Sequence, residues 1–175
     1  MARIKNEKGM TLVELLIAGL LTFVLISAAF GFYVTQHNQW LAQTDISNMQ
    51  QNSRVVIDEL SRNIRSAGYG ILSGHPSVRL TSDTLAIFRQ DSTKIDTIRY
   101  YVSRADTLHP NLAKRINQQT AQIFAEDIES VQFMLSGTII TVTLVAREGR
   151  RDPEYTGDGY RRRTLITAVE VRNKM

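Results

Sequence analysis

Three patterns of apolar and polar residues follow one another along the chain. From Leu15 to Val34 no residue is charged, and in a helix rising 1.5 Å per residue that stretch spans about 30 Å, the thickness of a bilayer's hydrocarbon core. From Thr35 to Ala67 there is neither Pro nor Gly, and apolar residues return at Leu41, Ile46, Met49, Val56, Leu60 and Ile64. This spacing predicts an amphipathic helix continuing the first. Ala67-Gly68-Tyr69-Gly70 supplies a stop, since Gly takes the left-handed conformation that often ends a helix, while Gly19 and Gly31 are places where it could bend. Beyond Gly70 the period becomes two. Thr84 to Arg89, Ile95 to Val102, Ile128 to Leu135, Thr138 to Arg147 and Thr164 to Arg172 are rich in Val, Ile, Thr, Tyr and Phe and read as strands. Ile140, Val142, Leu144 and Ala146 share one face, Leu165, Thr167, Val169 and Val171 another, so an antiparallel pair would bury both against the amphipathic helix. Ser136-Gly137 reads as a tight hairpin turn. The expected fold is α+β: a long N-terminal helix, membrane-spanning then amphipathic, packed on an antiparallel β-sheet.

The charges at either end of the apolar stretch give it a direction. Arg3, Lys5 and Lys8 precede it, and the first charged residue after it is Asp45, so the positive-inside bias places the N-terminus in the cytoplasm and the rest outside. A plain signal anchor has no use for Glu14, a carboxylate at the edge of an apolar helix, which is costly there without an interface or a partner. A secretory signal peptide would find a cut site at Ser27-Ala28-Ala29, giving a chain beginning at Phe30, but an acid within its apolar region is out of place.

The stretch Lys8-Gly9-Met10-Thr11-Leu12-Val13-Glu14-Leu15-Leu16-Ile17 resembles the processing site of type IV prepilins and type II secretion pseudopilins. The resemblance implies that a cytoplasm-facing prepilin peptidase cuts after Gly9, that Met10 becomes the N-methylated N-terminus, and that Glu14, the fifth mature residue, meets the N-terminal amine of a neighbouring subunit. Removing the leader would create a cation four residues before an anion, and in a low-dielectric bundle each needs an opposite charge. Many pilins begin with Phe where this chain has Met10. Along the whole chain the resemblance is to PilW-like minor pilins, related to J-type minor pseudopilins. It is carried by the run Arg54-Val55-Val56-Ile57-Asp58-Glu59-Leu60-Ser61-Arg62-Asn63-Ile64-Arg65-Ser66-Ala67-Gly68-Tyr69-Gly70, by Tyr100-Tyr101-Val102 and by the closing Val171-Arg172-Asn173. It implies a leader at residues 1–9, a transmembrane and assembly helix at 10–34, and a periplasmic globular domain at 35–175. The implied partners are the peptidase, other pilin or pseudopilin subunits and an inner-membrane assembly platform. The type II minor pseudopilin, and a membrane-tethered binding protein with an uncut anchor, are the alternatives.

Composition removes other functions. With 21 Lys+Arg against 17 Asp+Glu the chain is mildly basic, and three of those cations sit in the first nine residues, which leaves too little net charge to imply a nucleic-acid partner. The absence of cysteine rules out thiolate metal sites, cysteine nucleophiles and disulfides together, including the disulfide-closed C-terminal loop of many major pilins. His37, His75 and His109 stand apart without ligand-spaced acids and read as surface residues. No nucleophile motif or cofactor signature occurs, and no enzymatic role is expected. The concentrated charge lies in residues 148–163. There Asp152, Glu154 and Asp158 with Gly157 and Gly159 offer a weak Ca²⁺ site, against which Arg150, Arg151, Arg161, Arg162 and Arg163 compete. The same arginines with Tyr155 and Tyr160 make a weak DNA-contacting pattern, so the preferred reading is a solvated loop. Trp40, just beyond the apolar run, reads as an interfacial anchor.

Overall fold

The computed structural model describes residues 9–71, 74–91, 94–152 and 155–173. The chain divides into two compact units, Met1–Gln43 and Thr44–Met175.

Helix α1 runs from Leu12–Ser66. It passes through Gly19 and Gly31 without leaving α-helical geometry, so neither glycine interrupts it. Its apolar side chains from Leu12, at 74%, to Val34, at 41%, are all exposed. This part of the helix is long and apolar enough to cross a membrane, and such continuous exposure is what a lipid-facing segment presents. At its start, Thr11 and Glu14 form a reciprocal cap: the Thr11 backbone N–H and hydroxyl both donate to Glu14 Oε2, at 2.8 and 2.9 Å, and the Glu14 N–H donates to Thr11 Oγ1 at 3.3 Å. Two of the orphan donors of a helix N-terminus are satisfied in this way.

In the second unit the helix buries Met49, Ser53, Val56, Leu60 and Ile64 on one stripe. Ser53 belongs there because its hydroxyl donates to the Met49 carbonyl at 2.6 Å, which satisfies the polar group inside the core. Leu41 and Ile46, at the start of the expected stripe, are only half-buried. The helix stops where the glycines fall. Gly68 has φ +78°, its N–H donates to Phe88 O at 2.8 Å, and Asn173 Nδ2 donates to the Ala67 carbonyl at 2.9 Å. At the helix end, a strand carbonyl thus takes the Gly68 N–H, and the C-terminal segment satisfies the Ala67 carbonyl.

Among the described residues eight antiparallel strands follow: β1 (Val78–Leu80), β2 (Thr84–Asp91), β3 (Lys94–Ser103), β4 (Asn111–Ile116), β5 (Gln122–Ala125), β6 (Ile128–Ser136), β7 (Ile139–Arg147) and β8 (Arg162–Glu170). They make two sheets, β1-β2-β3-β4-β5 and β6-β7-β8, where the sequence pattern leads one to expect one. The five expected strands are β2, β3, β6, β7 and β8. Ser136 pairs with Ile139 across a two-residue turn, and Gly137 at φ +61° supplies the positive φ that its first central position demands. On β7 and β8 the facing pairs are Ile140 with Val169, Val142 with Thr167 and Leu144 with Leu165, the faces that the alternation marks out.

One core joins the stripe of α1 to both sheets. Val56, Leu60 and Ile64 lie in one apolar cluster with Leu85, Ile87, Ile98, Tyr100 and Leu112 of the larger sheet and Ile128, Val131, Ile140, Val142 and Leu144 of the smaller. Each such side chain contributes about 1.5–3 kcal/mol on burial.

Candidate functional site

The residues singled out at the N-terminus are placed as follows. Gly9 and Met10 are exposed, and among the described residues, chain neighbours aside, no atom lies within 4 Å of where a Gly9 Cβ would stand. Glu14 begins the helix as the acidic member of the cap with Thr11. The structure gives this carboxylate an intramolecular task, and its Oε2 is the oxygen engaged. The cap was legible as Thr11-x-x-Glu14 ahead of an apolar run. The leader cations Arg3, Lys5 and Lys8 lie outside the described residues. Trp40 is 60% exposed and extends a ladder of rings: Tyr33 stacks on His37 at 6.0 Å between centroids, and His37 on Trp40 at 6.2 Å.

In the charged loop the carboxylates are engaged by arginine. Arg161 Nη2 donates to Asp152 Oδ2 at 2.7 Å, and its Nε lies 4.0 Å from the buried Glu148. Arg162 grips Asp158 through two guanidinium nitrogens and donates to Glu129 at 2.5 Å. The Arg162 hydrogen bonds hold the Asp158 carboxyl well below the usual range, and those to Asp158 and Glu129 raise the guanidinium. Glu148 moves the other way: burial pushes its carboxyl up, against the attraction of Arg161. Glu154 lies outside the described residues. Among the described residues no three His, Asp or Glu side chains are arranged to hold a metal ion.

The tyrosines of this loop stack on arginines of the same chain, Tyr160 against Arg147 at 4.4 Å and Tyr155 against Arg161 at 5.7 Å. Arg147 is buried, with Nη2 donating to the carbonyls of Thr107 and Leu108. It helps line a polar groove of about 180 Å³, together with Asp45, Asn48, Asn52, Asp127 and Arg150. His37 and His75 are exposed, while His109 approaches Asp127 Oδ1 at 3.3 Å.

In comparisons with known proteins the chain matches no family model, no curated protein and no solved structure.

Proposed function

We propose that the chain is a minor pilin-like subunit, cut between Gly9 and Met10 by a prepilin peptidase and methylated at Met10. Held in the inner membrane by its N-terminal helix with the second unit in the periplasm, it takes part in assembling or priming a type IV pilus. The observation that carries this reading is the spacing from Gly9 through Met10 to Glu14 at the edge of one long apolar helix. The exposure of Gly9 and Met10 and the α+β second unit are compatible with it. A minor pseudopilin of a type II secretion system uses the same processing and helix, and the second reading is kept for that reason.

Co-expression with a prepilin peptidase, followed by N-terminal sequencing and intact mass, tests the proposal. The mature chain is expected to begin at Met10 with one added methyl group, about 14 Da, and Gly9→Val should leave the leader attached. A mature N-terminus at Phe30 would instead establish a secretory peptide, and an uncut chain a plain anchor.

A further inference from the structure

Four strands end the two sheets, and three of their edges are protected. β1 and β5 are only Val78–Leu80 and Gln122–Ala125. The outer edge of β6 is met by other backbone: Phe133 N–H donates to Ser82 O at 3.2 Å and Ile128 N–H to Pro110 O at 2.8 Å. β8 differs, since among the described residues it pairs with β7 alone along Arg162–Glu170. A long edge of this kind templates strand addition unless charge, proline or a bulge blunts it. Thr164-Leu165-Ile166-Thr167-Ala168-Val169 carries no charge, proline or glycine.

The direction of its free backbone groups is fixed by two hydrogen bonds. Val171 N–H donates to Thr138 O at 2.9 Å, and Arg161 O accepts from Glu148 N–H at 3.0 Å. Odd-numbered residues of this strand therefore turn their N–H and C=O toward β7, and the even-numbered ones turn theirs outward. Arg162, Thr164, Ile166, Ala168 and Glu170 also have exposed side chains, with Ile166 at 70%. The strand begins with a cation and ends with an anion.

We infer that β8 pairs antiparallel with β8 of a second copy of this chain about Ile166, joining two three-stranded sheets across a two-fold axis. This register sets Arg162 opposite Glu170 at both ends, Thr164 opposite Ala168, and Ile166 opposite Ile166 in the middle, all on the exposed face. A parallel in-register pairing would set Arg162 against Arg162. Glu129, Asp158 and the Tyr160 carbonyl already order the Arg162 guanidinium at the strand's end and take four of its five donors, leaving one N–H for a further carboxylate. The inference does not depend on the pilin reading.

The chain has no cysteine, so a single Ile166→Cys substitution in the full chain, solubilised in detergent, reports on the pairing directly. A short bis-maleimide should cross-link this variant at least about tenfold faster than Ile123→Cys, which samples an exposed site on β5, because pairing raises effective concentration. Light scattering should give twice the chain mass for the unaltered protein. Ile166→Lys, which sets two ammonium groups opposite each other, should return it to monomer with an unchanged circular dichroism spectrum. Glu170→Lys should weaken self-association by about tenfold. Cross-linking no faster than at Ile123→Cys, a dimer indifferent to Ile166→Lys, or an edge occupied only by a strand of another protein would each overturn the inference.

Discussion

Glu59 on α1 and Lys114 on β4 meet at 2.6 Å, and this ion pair ties the helix to the larger sheet beside the core. Glu59 Oε1 also accepts the Tyr100 hydroxyl at 3.2 Å, and Asn63 Nδ2 donates both to Tyr100 Oη at 3.0 Å and to the Glu59 carbonyl at 2.9 Å. The Tyr100 ring is fully buried, and burial together with the Glu59 charge lifts its hydroxyl well above the usual phenol range. Both charged partners are mostly covered, so solvent screens the pair less than an exposed one.

Removing one partner should therefore cost more than an exposed ion pair. Lys114→Met is expected to destabilise the fold by about 1.5–3 kcal/mol, the range for a hydrogen bond to a charged group. The hydrogen bond from Lys114 is the largest influence holding the Glu59 carboxyl below its usual value. Its stabilisation is present above the unfolded value of about 4.3 and is lost as pH falls through the lower folded one. Urea unfolding from pH 7 to pH 3 should show a smaller acid-side loss in Lys114→Met than in the unaltered chain. Equal losses would show that Glu59 contributes little to the acid sensitivity.

A second prediction concerns the end of the helix. Gly68 sits at φ +78°, and a Cβ there would stand 2.3 Å from Ser77 Oγ and 3.0 Å from Asn173 Cβ. Gly68→Ala is thus expected to cost about 1–3 kcal/mol from backbone strain, with crowding added. A denaturation midpoint equal to that of the unaltered protein would mean that the turn relaxes freely.

The long strands were legible because their alternation is unbroken, as in Ile140, Val142 and Leu144, all fully buried. β4 was not, because Leu112 and Ala113 are both buried as neighbours, and the ladder with β5 shifts register between them; a bulge erases the period-two signal. β1 and β5 are too short to carry a pattern. Ser53 was missed on the buried stripe because nothing in composition reveals a hydroxyl satisfied by its own helix. The division of strands between two sheets depends on packing, which alternation does not encode. At the N-terminus the local cap between Thr11 and Glu14 lies within the stretch Lys8 to Ile17 that carries the resemblance, and its Thr-x-x-Glu spacing is readable from the sequence.

The third prediction is that the apolar helix is dispensable for folding of the rest. The core cluster is drawn wholly from Met49 onward, so a chain beginning at Thr35 should be soluble and show both helix and strand by circular dichroism. In that background Leu60→Ala, at a fully buried position, should cost about 2–5 kcal/mol. A disordered or wholly helical spectrum would contradict the independent fold.

The last prediction separates the two tasks of Glu14. In the single chain its carboxylate caps the helix through Thr11, while the proposed assembly role needs its charge for a neighbour's N-terminal amine. Glu14→Gln keeps an acceptor at the capping position but removes the charge. Thr11→Ala keeps the charge but removes the capping hydroxyl, at about 0.5–2 kcal/mol of helix stability. If assembly depends on the charge, Glu14→Gln should still be inserted and cut after Gly9 yet be poorly recovered with partner subunits. An ammonium left unpaired in a low-dielectric bundle costs about 3–5 kcal/mol, reduced where it reaches the interface. Thr11→Ala should then assemble nearly normally. Pull-down from detergent extracts and filament counts measure both variants side by side. Normal incorporation of Glu14→Gln together with loss in Thr11→Ala would reverse the assignment and leave Glu14 as a helix cap.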